Sequence, residues 1–113
     1  MATTQEIAQY ITEQLGGAAN GVALRKMFGE YGLWRNGKFF ALICDSTLFF
    51  KETAAARELL SARGELIEAP AYDGAKDSFR IDNLDDAAFL RELLDATLRE
   101  LPELRPKKPK RKA

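Results

Sequence analysis

The sequence predicts an α+β protein in which three helices cover an antiparallel sheet of five strands, so that the fold has two layers. Amphipathic segments of helical period lie at the start, in the middle and at the end of the chain. Between them lie aromatic and aliphatic stretches that are interrupted by short polar breaks typical of hairpin turns. The predicted order is therefore helix, three strands, helix, two strands, helix.

The first helix is predicted to begin near Thr3, because Thr3 and Glu6 have the spacing of a reciprocal capping pair. Apolar residues from Ile7 to Leu15 recur at helical spacing, and Gly16-Gly17 supplies a left-handed end. This pattern is typical of a surface helix with one buried side.

A three-stranded meander is predicted next. Asn-Gly at 36–37 favours a two-residue turn, because both central positions of a type I′ turn need positive φ, so 27–35 should pair antiparallel with 38–44. A second break at 45–47 returns the chain as a third strand at 48–51. Gly29 and Gly32 inside the first strand predict a bulge or a sharp bend.

The central strand of the meander is apolar on both faces. One face can be covered by the helices, and the other is a candidate for a homodimer contact or a ligand groove. Strict alternation assigns Phe40, Leu42 and Cys44 to one face and Phe39, Ala41 and Ile43 to the other.

The second half of the chain repeats the alternation of helix and strand. A helix is predicted over 53–62, and two short strands over 65–69 and 77–81 flank a loop at 71–76. The last helix should begin with Asp82 or Asn83 as its N-cap and end at Pro102.

Length and composition are those of one ordinary globular domain. The chain has 113 residues, of which 46% are hydrophobic and 30% charged. No apolar run approaches the roughly 18 residues that cross a bilayer, and no signal-peptide pattern opens the chain, so we expect a cytoplasmic location without membrane association. One cysteine and no histidine exclude an intramolecular disulfide and make metalloenzymes and His-dependent hydrolases poor candidates.

Charge is unevenly distributed although its formal sum is zero. Residues 1–104 carry 11 basic and 17 acidic side chains, a net charge of −6. We expect one domain over 1–104 and a disordered, proline-broken basic tail over 105–113. Such a tail is a candidate for weak, non-specific binding of nucleic acid. Its basic residues are Arg105, Lys107, Lys108, Lys110, Arg111 and Lys112.

Catalytic and metal-binding constellations are missing from the sequence, so we expect no enzymatic activity, no metal and no cofactor. Cys44 ends an apolar strand without a histidine to take its proton, which favours a core role. Glu68, Asp73 and Asp77 flank one loop, but their spacing matches no calcium loop and indicates solvated charges.

A candidate interaction surface lies in the meander, where cations alternate with aromatic residues as in surfaces that stack single-stranded nucleic acid. The net negative charge of the domain opposes phosphate binding, so the aromatic residues are expected to lie partly in the core and partly at its rim. The candidate residues are Arg25, Lys26, Phe28, Tyr31, Trp34 and Lys51.

The R-x-M-F-G-x-x-G run at 25–32, the glycine-turned hairpin with its Phe40-Ala41 pair, and Lys51 closing the third strand together resemble the N-terminal domain of the TfoX/Sxy family of competence regulators. The resemblance is close over residues 4–51. In the rest of the chain it is limited to the order of the predicted helices and strands. It implies an α-β3-α-β2-α sandwich similar to secretion-chaperone-like folds. It also implies a cytoplasmic, non-enzymatic protein that takes part in transcriptional regulation through an unidentified protein partner. The alternative is an accessory protein that binds nucleic acid with its basic tail.

Overall fold

The computed structural model describes residues 3–27 and 30–101, and within them three helices and six strands follow one another. The expectations placed on Phe28, on Gly29 and on the tail at 105–113 concern residues outside that description. The elements are α1 (Gln5–Gln14), a 3₁₀ turn (Ala18–Asn20), β1 (Val22–Met27), β2 (Glu30–Arg35), β3 (Lys38–Cys44), β4 (Thr47–Phe50), α2 (Ala54–Ala62), β5 (Glu68–Pro70), β6 (Asp77–Ile81) and α3 (Ala87–Glu100).

The strands form one antiparallel sheet in the order β1-β2-β3-β4-β6-β5. The predicted α+β class is confirmed, but the sheet has six strands rather than five. The additional strand is β1, which pairs with β2 in an unbroken register from Val22 opposite Arg35 to Met27 opposite Glu30. The chain therefore reverses between Met27 and Glu30, where the sequence predicted a bend within one continuous strand.

The β2–β3 and β3–β4 turns both use left-handed backbone. At the first turn Asn36 and Gly37 have φ of 53° and 78°, which confirms the predicted Asn-Gly hairpin. The β3–β4 turn places two non-glycine residues in the same region, Asp45 at φ 53° and Ser46 at 61°. Aspartate tolerates this conformation better than most residues do.

The first helix begins one residue later than predicted. The hydroxyl of Thr4 is the cap and accepts a hydrogen bond from the N–H of Ile7 at 3.2 Å. Thr3 is buried instead, and its hydroxyl accepts the N–H of Ser46 at 2.9 Å, so it ties the start of the chain to the β3–β4 turn.

The other two helices are also capped by side chains. Thr53, the first residue of the predicted helix, caps α2 by accepting the N–H of Ala56 at 3.1 Å. Asp86 caps α3 by accepting the N–H of Phe89 at 3.1 Å, so the prediction of Asp82 or Asn83 as the cap is wrong. Asp82 is instead held in a two-pronged ion pair with Arg80, at 3.0 and 3.1 Å.

All three helices pack on one face of the sheet. Their apolar sides meet alternate strand residues in one core. The larger members of this core include Ile11, Leu15, Leu33, Phe40, Ile43, Leu48, Phe50, Leu60, Phe79, Leu90, Leu93 and Leu94. We call the opposite side, which bears no helix among the described residues, the outer face.

Glu30 fastens three chain segments at one end of the meander. Its carboxylate accepts the N–H of Thr3 and the N–H of Asp45, each at 3.1 Å. Burial acts to raise the pKa of this carboxyl, but hydrogen bonds from Thr3 and from the Asp45 backbone hold it below its ordinary value. The ionised form of Glu30 therefore stabilises the junction.

Candidate functional site on the outer face

A β-bulge determines which side chains reach the outer face. Leu33 lies opposite Ala41 and Trp34 lies opposite Phe39, so Phe40 has no partner in β2. As a result Phe40 and Ala41 are both fully buried in the same core, although they are neighbours in the chain. The strict alternation expected from the sequence is therefore wrong at Phe40, and Phe39 shares the outer face with Leu42.

Two aromatic rings and two cations form a row across the outer face, which we call the aromatic row. The centroids of Trp34 and Phe39 lie 4.7 Å apart with 30° between the ring planes. The guanidinium carbon of Arg25 lies 5.6 Å from the Trp34 centroid, and the ammonium nitrogen of Lys51 lies 4.9 Å from the Phe39 centroid. Each ring is half-buried and faces one cation at a favourable cation–π distance.

Gly32 is the floor of the aromatic row. A Cβ at this position would lie 2.7 and 2.8 Å from Cζ3 and Cη2 of Trp34, and 3.0 Å from Cε1 of Phe39. Its φ is not positive, so Gly32 is not needed for a left-handed bend, and the bulge of the β2–β3 pair lies just after it, between Leu33 and Trp34. Glycine is needed here because the indole ring lies directly against the backbone.

The structure brings together only part of the predicted surface. Arg25, Trp34 and Lys51 belong to the aromatic row, whereas Tyr31 is 9% exposed and lies in the helix-covered core. Lys26 is exposed but lies opposite Tyr31, so its register position is on the helix-facing side of β1. Phe28 lies outside the described residues.

Phe39 is the member of the aromatic row that the sequence reasoning missed. A signal for it existed, because residues equidistant from a two-residue turn lie opposite each other. Counting outward from Asn36-Gly37 places Trp34 opposite Phe39.

A carboxylate corner lies beside Lys51, where Glu52, Glu68 and Asp77 line a shallow cleft. Arg57 donates to Glu68 at 2.6 Å and to Glu52 at 3.1 Å, while Oε2 of Glu52 is buried without a hydrogen-bond partner among the described residues. Burial, together with Glu68 and Asp77, raises the pKa of Glu52 against the opposing effect of Arg57. Within residues 3–27 and 30–101 no group of three or more acidic, cysteine or histidine side chains is placed to hold a metal ion.

A shallow cleft of about 400 Å³ lies beside the Asn36-Gly37 turn and contains three cations. Two of them already bind protein groups. Arg35 pairs with Asp95 at 3.0 Å, and Lys38 donates to the carbonyl of Leu98 at 2.8 Å near the end of α3. These two contacts therefore connect β2 and β3 to the last helix.

Cys44 is buried, and burial raises the pKa of its thiol, with further contributions from the negative charges of Glu30 and Asp45. A thiol in this environment is a poor nucleophile.

The helices of the described part of the chain are all too short or too polar to cross a membrane.

Comparison with known proteins identifies a family and a relative. The family model described as the TfoX N-terminal domain matches residues 13–100. A protein of Spirochaeta aurantia, described as an uncharacterized 12.7 kDa protein in the trpE 5′ region, is 34% identical over 113 residues, covering 99% of this chain and 95% of that protein. No solved structure matches the chain. The family match extends well beyond 4–51, where the sequence motifs showed the resemblance most closely.

Proposed function

Because the chain belongs to the TfoX N-terminal domain family, we propose that it is a non-enzymatic, cytoplasmic regulatory module that acts by binding another protein, in a role related to competence. Buried Cys44, with its raised pKa, supports the non-enzymatic part of this proposal. The family match supports the regulatory part.

The aromatic row is the single observation that carries the proposal. Protein interfaces are enriched in tryptophan, other aromatic residues and arginine. Here two such rings lie side by side on the face without helices, and within the described residues Arg25 and Lys51 make no ion pair. The cations are therefore available to a partner's carboxylates, while the rings supply apolar contact.

Affinity capture from an extract of the native organism tests this role. Trp34→Ala and Lys51→Glu should each release proteins that the parent chain retains. Tyr72→Ala is the matched control, because Tyr72 is an aromatic residue with 60% exposure that lies away from the aromatic row. The proposal is wrong if the parent retains no protein, or if the outer-face variants retain the same proteins as the control.

A homodimer through the sheet is part of the same proposal. The outer face is where two copies would meet, because the helices cover the other face. Two aromatic rows facing each other would bury their rings further, and Arg25 and Lys51 would then lie at the rim.

Nucleic-acid binding through the tail is the second candidate function, favoured by the six basic residues among the last nine. Six cations on an unfolded segment give a slope of log K against log salt no steeper than about −5 for duplex DNA. Anisotropy titrations at about 50 and 200 mM salt should then show weak binding by the full chain that a chain ending at Leu104 loses. Equal binding by both chains would contradict a role for the tail, and absence of binding by both would exclude this function.

A further inference from the structure

Within residues 3–27 and 30–101, no strand pairs with the outer hydrogen-bonding edge of β1. The N–H of Val22 donates to the carbonyl of Gly17 at 3.0 Å, so it points away from β2. The backbone of Arg35, the partner of Val22 in β2, gives the same result. Arg35 and Lys38 flank a two-residue turn and hydrogen-bond to each other across it, so the backbone groups of Arg35 point away from β1. Backbone groups alternate in direction along an antiparallel strand. Leu24 and Lys26 therefore present their N–H and C=O groups outward.

The two edges of the sheet differ in how they are protected. β5 is three residues long, contains Pro70 and carries an exposed carboxylate at Glu68, features that commonly block strand addition. β1 is six residues long and contains no proline. Beyond the bond at Val22, no backbone hydrogen bond outside the strand ladders reaches β1 in the described part of the chain. Of the two edges of the sheet formed by the described residues, β1 is thus the one suited to accept another strand.

Charge identifies the kind of strand that fits. Arg25 and Lys26 are both exposed, and they are consecutive, so one lies on each face of the sheet. Within the described residues neither forms an ion pair. Opposite residues of paired strands share a face. An incoming strand would therefore satisfy both cations with two consecutive carboxylates.

We propose that the β1 edge binds an extended acidic segment of a partner protein as a seventh strand, with an acidic pair opposite Lys26 and Arg25. This inference rests on the proposed function as a protein-binding module, and it adds how the partner binds and what chemistry its segment has. Main-chain hydrogen bonds to Leu24 and Lys26 supply affinity, and the acidic pair fixes the register.

A second copy of this chain fits the edge less well. Outward-directed residues must pair with outward-directed residues, so a symmetric pairing that covers most of β1 is centred on Leu24. That pairing places two copies of Arg25 and two of Lys26 in one two-stranded ribbon. Neither copy of β1 contributes a carboxylate to this ribbon. Such a concentration of like charge opposes self-pairing.

Binding of the synthetic peptide Thr-Val-Glu-Glu-Val-Thr-Val, labelled with fluorescein and followed by anisotropy, tests the proposal on the full chain. We expect saturable binding, and binding roughly tenfold weaker when the two glutamates are replaced by lysines, since two opposite-charge pairs are lost. N-methylation of alternate peptide residues should abolish binding in one alternation and spare it in the other, because only one set of amides faces β1.

Two pairs of protein variants locate the binding site. Lys26→Pro removes the outward N–H of an edge position without removing a bond to β2, so it should bind the peptide several-fold more weakly than Lys26→Thr, which loses only the charge. Lys26→Glu should weaken binding, whereas Lys76→Glu, an exposed lysine just before β6, should not. Circular dichroism confirms that each variant is folded.

Three results would overturn the proposal: no binding of the acidic peptide, equal effects of both N-methylation patterns, or equal affinity of Lys26→Pro and Lys26→Thr. Sedimentation that shows a dimer dissociated by Lys26→Pro would instead identify a second copy as the occupant. Since Lys26 lies outside the aromatic row, these outcomes are separate from those of Trp34→Ala and Lys51→Glu, which test the protein-binding role itself.

Discussion

Replacement of Gly32 by alanine should lower the free energy of unfolding by about 1–2 kcal/mol. The new methyl carbon would lie 2.7 Å from the Trp34 ring and 3.0 Å from Phe39, whereas ordinary contact begins near 3.4 Å. Overpacking of this kind costs roughly 1–3 kcal/mol. Alanine also restricts the unfolded chain, which returns about 0.4–1 kcal/mol where the native φ suits it, as it does here.

Urea unfolding followed by far-ultraviolet circular dichroism measures this change. Tryptophan emission gives a second and local readout, because the chain contains one tryptophan. In Gly32→Ala the indole must move off the sheet, so its emission should shift to longer wavelength in the folded state. A stable Gly32→Ala chain with unchanged emission would show that Trp34 does not lie against Gly32.

A double-mutant cycle isolates the contact between Gly32 and the indole ring. In a Trp34→Ala background the nearest ring is gone, so Gly32→Ala should be neutral or stabilising by up to about 1 kcal/mol. An equal loss of stability in both backgrounds would refute the ring-packing explanation. It would show instead that glycine is needed at position 32 for its backbone conformation.

Acid sensitivity, thiol reactivity and mass in solution each test a separate feature of the structure. The pKa of Glu30 is lowered by folding, so its contribution to stability is present above its unfolded pKa and is lost as pH falls through the folded pKa. Glu30→Gln should therefore lower the free energy of unfolding by about 1 kcal/mol at pH 7, and the stability of this variant should fall less as the pH is lowered. An unchanged urea midpoint at pH 7 would contradict this. Cys44 should react with a thiol reagent at pH 7 at least about 100-fold more slowly in the folded chain than in urea, and fast labelling of the folded chain would contradict its burial. Light scattering at micromolar concentration should give about twice 12.6 kDa for the proposed homodimer, and a monomer up to about 1 mM would refute it.

Most helices and turns could be predicted because their signals are local. The Asn36-Gly37 turn needs positive φ at both positions, and Thr53 precedes an alanine-rich segment, so each element follows from a few neighbouring residues. The start of α3 could not be predicted in the same way. Several capping residues precede it, and the ion pair of Arg80 with Asp82 depends on the folded structure.

The aromatic row was only partly predictable, because it depends on a bulge. Strict alternation assigns Phe39 and Phe40 correctly to opposite faces, but it places Phe40 rather than Phe39 with Leu42. The bulge places Phe40 in the core beside Ala41, and the residue types of β3 do not indicate which residue lacks a partner. Gly32 carried the signal of an unusual site, but a sequence cannot distinguish a backbone bend from a ring that lies against the chain.

The error in strand number also concealed the open edge of β1. With 27–35 as the first strand, Arg25 and Lys26 precede the predicted strands, so the sequence does not assign them to the two faces of the sheet. Once Val22–Met27 is a strand, the same two residues lie on an open edge, one on each face. Arg25 also lies over Trp34, so this edge is continuous with the aromatic row. A partner strand added to β1 would therefore extend the sheet beside the row, and its side chains on the outer face would lie next to Arg25.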